Sequence, residues 1–287
     1  MMVAIKLDGE LAASELKEKL SHRITKLKHS SITPGLGTIL VGDDGPSKNY
    51  IAMKHRDCKD LEMHSEEIHL PSTTTQEEII EAIETFNDDP RIHAFIIQYP
   101  FPGDLDYESA LLKVLPEKDA DGLHPVNLGK LVQGIPAPLA CTPAGIQFLL
   151  ERYEIPIRGK HVVIVGRGLT IGRPLANLLS LKKTNANATV TVVHTGTDDI
   201  TSHTKQADIL IAAAGSPHMI TAEMVKQGAA VIAAGVSFEG KKLLSDVADE
   251  VNEVAGWLSP RIGGVGPMTR AYLMANTVEA AENYRVS

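Results

Sequence analysis

Residues 161–179 have the sequence HVVIVGRGLTIGRPLANLL, and this stretch decides the fold. Its first five residues are mostly apolar and rich in valine and isoleucine, which predicts a buried parallel strand. A glycine-rich turn follows, and apolar residues then recur at helical spacing. A strand that enters a helix through such a turn directs unpaired backbone N–H groups at whatever lies above it. The pattern therefore predicts a site for a pyrophosphate.

The glycines of this turn are Gly166, Gly168 and Gly172, a G-x-G-x-x-x-G spacing in place of the common G-x-G-x-x-G. Gly166 and Gly168 have no Cβ, so the backbone can bend there and approach a ligand closely. A second strand, residues 188–194, follows at the right distance for a βαβ unit, which strengthens the interpretation. The alternative is a βαβ turn in an α/β domain that binds no nucleotide.

The end of the second strand bears on the choice of dinucleotide. NAD-specific folds usually have an acid there that binds the adenosine ribose. This chain has His194, Thr195, Gly196 and Thr197 instead. Arg167 lies in the glycine turn, where its charge suits a 2′-phosphate. We therefore expect NADP as the cofactor, with Arg167 and Thr195 on its 2′-phosphate and His194 at most beside the adenosine.

Size, composition and charge limit the possible functions. The chain has 287 residues, 43% hydrophobic and 22% charged, as expected for a folded protein of two ordinary domains. Its net charge of −8 disfavours nucleic acid or an anionic membrane as a partner. Cys58 and Cys141 lack metal-site spacing, and the N-terminus lacks a signal-peptide pattern. We expect a cytoplasmic protein with free thiols, no metal site and no membrane segment.

Predicted strands and helices alternate along the chain, which indicates an α/β protein with mostly parallel sheets. The first part has predicted helices at 14–27, 47–61 and 75–86, and predicted strands at 37–42, 67–70 and 93–98. A helix from Thr142 to about Glu151 marks the boundary between two domains, since Thr142 and Pro143 suit a helix start. The later part adds strands at 207–215 and 228–235 and a final helix at 268–284.

A second group of motifs carries side chains suited to chemistry. Tyr50 and Lys54 lie one helical turn apart on the same face. By itself, a lysine near an aromatic ring on a helix is usually a solvated surface residue. Three further strings place polar residues or glycines at strand ends and loops, where ligand sites of open α/β sheets lie. They are Gln98-Tyr-Pro-Phe-Pro102, Lys118-Asp-Ala-Asp-Gly122 and Gly263-Gly-Val-Gly-Pro-Met-Thr269.

With the Gly166-Arg167-Gly168 turn, these strings resemble the bifunctional methylenetetrahydrofolate dehydrogenase/methenyltetrahydrofolate cyclohydrolase family, from Leu7 to Ala281. The resemblance implies an N-terminal folate-binding catalytic domain, residues 1–141 joined by a C-terminal helix of about 270–287. It implies a Rossmann-like NADP-binding domain, residues 142–269, with the folate in a cleft between the two. It also implies a homodimer through the nucleotide domains.

The implied activity belongs to one-carbon metabolism. The enzyme would oxidise 5,10-methylenetetrahydrofolate with NADP⁺ and hydrolyse the product to 10-formyltetrahydrofolate. By the resemblance Lys54 is the main catalytic residue, and lysine suits this role because burial readily lowers its pKa. Gln98 would hydrogen-bond Lys54, Tyr50 would stack on the aminobenzoate ring, and Asp121 would bind the amino-pyrimidine edge of the pterin.

The remaining assignments concern backbone close to the ligands. Gly264 and Pro267, in the loop of residues 263–267, are expected to approach the substrate. The cofactor residues are expected to be Gly166, Arg167, Gly168, Thr195 and Val236.

The chain departs from the family pattern at four positions, and none of these departures removes a residue assigned to chemistry. Tyr99 replaces a common Leu, Gly168 a common Ser, Ala233 a common Asp and Ile262 a common Pro. Two alternatives remain at this point: a non-catalytic folate- or NADP-binding relic of the fold, and a dehydrogenase of small amino or shikimate-like acids. The retention of Lys54 with the other catalytic residues argues against the first. The Tyr-x-x-x-Lys helix argues against the second.

Overall fold

The structure is a computed structural model that describes residues 3–240 and 242–284, without the side chain of Phe238. The chain divides into two compact units, named here by their main sheets. The six-strand unit comprises residues 3–14, 131–134 and 140–269. The three-strand unit comprises residues 15–130, 135–139 and 270–284. Each unit contains a parallel sheet with helices, which confirms the predicted α/β fold class.

Strands and helices alternate through most of the chain. The strands are β1 Ile5–Lys6, β2 Gly35–Val41, β3 His64–Leu70, β4 Ala94–Ile97, β5 His161–Val165, β6 Thr189–Val193, β7 Ile209–Ala212, β8 Ala230–Ala233, β9 Val236–Glu239, β10 Lys242–Ser245 and β11 Trp257–Leu258. The helices are α1 Gly9–His29, α2 Gly45–Asp60, α3 Gln76–Asp88, α4 Tyr107–Leu111, α5 Pro125–Gln133, α6 Cys141–Arg152, α7 Gly172–Ser180, α8 Ile200–Thr204 and α9 Val265–Asn283. Within the described ranges, no helix combines the length and apolar character needed to cross a bilayer.

The sheet of the three-strand unit has the order β3-β2-β4, with parallel pairing on both sides of β2. All seven residues of β2 are buried, which explains why its sequence is apolar apart from Thr38 and does not alternate. The chain leaves β2 for β3 on one side and returns to β4 on the other. This change of direction opens a crevice at the carboxyl ends of β2 and β4, where α/β sheets bind ligands.

Helix α2 begins directly after β2, and its start is well defined. The Asp44 carboxylate accepts hydrogen bonds from the Ser47 backbone N–H at 2.9 Å and from the Ser47 hydroxyl at 2.7 Å. Pro46 occupies the first turn, where a missing N–H is harmless. The capped start directs α2 away from the carboxyl end of β2, so residues of its first turns stay close to the crevice.

The larger sheet has the order β1-β11-β8-β7-β5-β6, and its paired strands are parallel. Strands β7 and β8 are buried throughout, and β5 is buried from Val162 onward. The chain runs from β5 to β6 on one side and from β6 to β7 on the other side of β5. The second crevice therefore lies at the carboxyl ends of β5 and β7, beside the glycine turn.

The first residues depart from the sequence-based domain boundary. Strand β1 pairs with β11 through Ile5 with Trp257 and Lys6 with Leu258, so residues 3–14 group with the six-strand unit. The sequence placed them with residues 1–141. A strand of two residues has no measurable periodicity, and its partner lies about 250 positions away, so local pattern carries no signal of this pairing.

A buried ion cluster ties three helices of the three-strand unit together. Asp57 on α2 is 5% exposed. Its carboxylate binds Lys17 of α1 at 2.6 Å and Arg270 of α9 at 2.8 Å. Both cations are themselves mostly buried, with side-chain exposures of 24% and 18%. Removal of the carboxylate would leave two poorly solvated cations beside each other.

We expect Asp57→Ala to lower the free energy of unfolding by about 3 kcal/mol, because it leaves buried charges without their partner. Asp60→Ala is the matched control, since Asp60 lies on the same helix with its side chain exposed. That variant should change stability by less than about 0.5 kcal/mol. Urea denaturation of both variants measures the difference, and equal stabilities would contradict a structural role for the cluster.

Candidate functional site

The predicted pair of Lys54 and Gln98 meets in the three-strand unit. Lys54 lies on α2 and is 8% exposed, and Gln98 directly follows β4. The Lys54 Nζ donates a hydrogen bond of 3.0 Å to Gln98 Oε1. Gln98 Nε2 donates in turn to the backbone carbonyl of Tyr99 at 2.7 Å, which fixes the orientation of the amide with its oxygen toward the lysine.

Asp121 lies in the loop between the Pro116–Lys118 turn and α5. Burial raises the pKa of its carboxyl group above the ordinary value; the nearby Lys54 opposes this shift and Asp119 adds to it. The charge of Lys54 thus acts on this carboxyl, and the loop that carries Asp121 is hydrogen-bonded to β4, the strand before Gln98, through the Ala120 N–H and the Phe95 carbonyl at 3.2 Å. An amine, an amide and a carboxyl group thus converge, a set suited to proton transfer and to hydrogen-bonding a heterocycle.

Aromatic rings lie beside this group. Tyr99 is 64% exposed, and its ring meets that of Tyr107 edge-on at 5.2 Å. Tyr107 also meets Phe101 edge-on at 5.4 Å. Burial raises the pKa of the Tyr107 phenol, and Asp121 acts in the same direction, so Tyr107 belongs to the surroundings of that carboxyl. Tyr50, one turn before Lys54 on α2, is 40% exposed, which leaves ring surface available to a ligand.

The glycine turn in the six-strand unit has two positions that exclude a side chain. Gly166 has φ of +120°, and a Cβ there would overlap the carbonyl of Ala213. A Cβ at Gly172 would overlap the carbonyl of Gly166, so the start of α7 packs directly on the turn. Gly168 differs, because a Cβ there would meet no atom within 4 Å. Only two of the three glycines are therefore required by packing.

Several hydrogen-bonding side chains lie at the carboxyl end of β6. The Nδ1 of His194 accepts a hydrogen bond from the Gly196 N–H at 3.1 Å, which assigns the ring proton to Nε2. The Nε2 lies 3.3 Å from the Arg167 guanidinium. Both groups are then donors, and Thr195 is exposed beside them. Polar groups that lie close together at a strand end suit an anion, whose oxygens can accept from more than one donor.

The other predicted residues also lie in the six-strand unit. Gly264 and Pro267 flank the start of α9, and the backbone there is tightly packed: the Gly9 N–H donates to the Gly263 carbonyl at 2.7 Å. Val236 begins β9 and is 42% exposed. The structure thus brings Lys54, Gln98 and Asp121 together in one unit, while the assigned cofactor residues lie in the other.

Three residues near these sites were not singled out from the sequence. Tyr107 and Asp119 adjoin Asp121, as described. The fully buried Asp246 accepts hydrogen bonds from the Ala214 and Gly215 N–H groups at 2.7 and 2.9 Å and so holds the loop after β7 beside Gly166. The repeated Asp in Lys-Asp-Ala-Asp-Gly was a signal for Asp119. Asp246 gave none, because its bonds form to backbone N–H groups that every sequence has.

Two family models match the chain. The model of the tetrahydrofolate dehydrogenase/cyclohydrolase catalytic domain matches residues 7–121. The model of the tetrahydrofolate dehydrogenase/cyclohydrolase NAD(P)-binding domain matches residues 140–285. Together they span most of the chain and both of its units.

Individual proteins agree with this result. The bifunctional protein FolD of Syntrophotalea carbinolica is 53% identical over 281 residues, covering 98% of this chain and 97% of that protein. The crystal structure of the bifunctional enzyme FolD from Campylobacter jejuni has a TM-score of 0.93 at 38% identity, covering 98% of this chain and 99% of that one.

A further solved relative carries ligands. The Trypanosoma brucei enzyme, complexed with NADP cofactor and an inhibitor, has a TM-score of 0.91 at 34% identity and covers 98% of each chain. The relic and the shikimate-like dehydrogenase considered from the sequence are not favoured by these matches. With both domain models matched and a relative more than half identical along nearly its full length, the chain belongs to the tetrahydrofolate dehydrogenase/cyclohydrolase (FolD) family.

Proposed function

We propose that Lys54, Gln98 and Asp121 form the folate site at which this chain carries out both reactions of its family. It oxidises 5,10-methylenetetrahydrofolate to 5,10-methenyltetrahydrofolate with NADP⁺ and hydrolyses that product to 10-formyltetrahydrofolate. The observation that carries the proposal is the hydrogen bond from the buried Lys54 Nζ to Gln98 Oε1. One site serves both steps because the product of the first is the substrate of the second.

In the hydrolytic step Lys54 acts as the general base. A water molecule attacks the carbon that bridges N5 and N10, and one of its protons passes to the neutral Lys54 amine. The bond from that carbon to N5 then breaks, N5 takes a proton, and the formyl group stays on N10. Gln98 accepts a hydrogen bond from the amine and so directs its lone pair, while its own amide is held by the Tyr99 carbonyl.

Asp121 and Tyr50 bind the folate. An ionised Asp121 carboxylate accepts two hydrogen bonds from the amino-pyrimidine edge of the pterin, a donor pair that a carboxylate matches. Because burial raises the pKa of this carboxyl, binding through it weakens as the pH falls toward that pKa. Tyr50 offers an exposed ring for stacking on the aminobenzoate group. Gly264 and Pro267, at the start of α9, are assigned to substrate binding.

The six-strand unit fits NADP. Its glycine turn lets the pyrophosphate approach the start of α7. The Gly168 N–H is assigned as a backbone donor there, while the Gly166 N–H donates to the Val193 carbonyl at 2.8 Å and Gly166 contributes close approach of the backbone. Arg167, Thr195 and His194 offer donors for the 2′-phosphate, and Val236 adds apolar contact. When bound, NADP⁺ accepts the hydride that the folate loses. The protein's part is to align the two reactants.

The domain assignment follows from these sites. We assign folate binding and catalysis to residues 1–141 with the helix of about 270–287, although residues 3–14 group with the six-strand unit, and nucleotide binding to residues 142–269. The family resemblance further supports a homodimer through the nucleotide domains in the cytoplasm. Sedimentation of the purified protein measures the oligomeric state.

Lys54→Met keeps most of the side-chain stem and deletes the amine. We expect it to lower the cyclohydrolase rate by about 10²–10⁴-fold, the loss typical of a general base. Hydride transfer depends mainly on alignment, so methenyltetrahydrofolate should accumulate and be visible by its absorbance. Lys59→Met, at an exposed position of the same helix, is the control. A cyclohydrolase rate for Lys54→Met within a few-fold of this control would remove Lys54 from the chemistry.

Arg167→Ala tests the choice of cofactor. A charge-assisted hydrogen bond is worth about 1.5–3 kcal/mol, or roughly tenfold to a hundredfold in affinity. The variant should therefore weaken NADP⁺ by that factor and leave NAD⁺ nearly unchanged. Arg158→Ala, an exposed arginine of the same unit, should affect neither. Equal losses for the two cofactors would mean that Arg167 serves the fold and not the 2′-phosphate.

The glycine turn provides its own matched pair of variants. Gly172→Ala forces α7 away from the Gly166 carbonyl and should weaken NADP⁺ binding by at least about tenfold. Gly168→Ala places its methyl group in open space and should bind NADP⁺ within about threefold of the unmodified protein. Calorimetric titration measures both affinities. If the two variants bind equally well, the pyrophosphate does not lie on this turn.

A further inference from the structure

Asp119 lies two residues before Asp121 and is nearly fully buried, at 3% exposure. Its carboxylate accepts three hydrogen bonds. Oδ1 accepts from the Gly122 N–H at 3.0 Å, and Oδ2 accepts from the His124 N–H at 2.8 Å and from Asn127 Nδ2 at 2.9 Å. Both carboxylate oxygens of Asp119 are therefore held in place by donors.

These bonds close a loop around Asp121. The donors Gly122 and His124 follow Asp121, whereas the acceptor precedes it, so the side chain of Asp119 spans the residue. Gly122 has φ of +69°, a conformation that favours glycine and lets its N–H turn back toward Asp119. The carboxyl group of Asp121 takes no part in these bonds and stays available to a ligand.

The loop is also fastened to the strand that leads to Gln98. Asp119 forms a parallel bridge with Phe95 of β4, and the Ala120 N–H donates to the Phe95 carbonyl at 3.2 Å. Asn276 Nδ2 of α9 donates to the Ala120 carbonyl at 2.8 Å. Gln98 follows the end of the same strand. The backbone around Asp121 and the amide that holds Lys54 therefore share β4 as their support.

We propose that Asp119 is a positioning residue for both folate reactions, which fixes the Asp121 carboxylate relative to Lys54 and Gln98. The inference rests on the proposed role of Asp121 in binding the pterin. Asp119 also acts on Asp121 through its charge. The charged and titratable groups that face the Asp121 carboxyl are Lys54, Asp119 and the Tyr107 phenol. Of these, the Asp119 carboxylate opposes ionisation of Asp121 as a like charge.

Two variants separate geometry from charge. Asp119→Asn loses the charge and one of its acceptor oxygens. It should lower kcat/KM for the folate by roughly tenfold or more in both reactions. Its KM for NADP⁺ should stay within about twofold of that of the unmodified protein. Without the like charge, Asp121 ionises more readily, so the acidic limb of the kcat/KM profile should move to lower pH. Asn127→Ala removes one donor to Asp119 and leaves the charge, so it should lower kcat/KM by a few-fold with no movement of that limb.

Controls keep the outcomes distinct. Asp199→Asn makes the same chemical change at a carboxylate that caps α8 through Ser202, and it should leave the folate profile unchanged. Asp121→Asn, measured in parallel, should abolish the acidic limb; full activity in this variant would overturn the proposed site itself. If Asp121→Asn is impaired while Asp119→Asn and Asn127→Ala keep kcat/KM within twofold, Asp119 is not a positioning residue. Should Asp119→Asn fail to fold, the Asn127→Ala result decides alone.

Discussion

The hydrogen bond from Lys54 Nζ to Gln98 Oε1 joins α2 to the end of β4 across the crevice of the smaller sheet. Each partner is placed by a different part of the fold: the capped start after β2 sets the course of α2, and parallel pairing with β2 sets the end of β4. The bond forms where little water competes, so it is electrostatically stronger than it would be at the surface. It therefore gives a flexible amine one defined direction, which a general base requires.

Two aspartates in one loop have different surroundings. Asp119 is buried and accepts hydrogen bonds from two backbone N–H groups and an asparagine side chain. Burial raises the pKa of Asp121, and Lys54 only partly offsets this. Environment, rather than residue type, thus distinguishes the two carboxyl groups: three donors hold that of Asp119, whereas burial raises the pKa of that of Asp121.

The sequence predicted the parallel α/β fold and the elements around the glycine turn, because apolar runs and helical spacing are local signals. It also predicted the contact of Lys54 with Gln98, through a family resemblance. It did not predict β1, whose partner β11 is distant in the chain, or the donor role of His194, which depends on a backbone N–H of Gly196. Contacts of side chains to backbone groups leave no residue pattern, so they became visible only in three dimensions.

The departures from the family pattern bear differently on the glycine turn, which offers backbone groups, and on the Lys54–Gln98 group, which consists of side chains. The departure at Gly168 falls where a side chain would meet open space, and the backbone donors of the turn do not depend on it. Ala233 in β8 still donates its N–H to the Ser259 hydroxyl at 2.8 Å. Tyr99 instead borders the side-chain site, with its carbonyl on Gln98 and its ring on Tyr107. Of these three departures, Tyr99 is the one that contacts Gln98 and Tyr107, so it bears most directly on the shape of the proposed folate site.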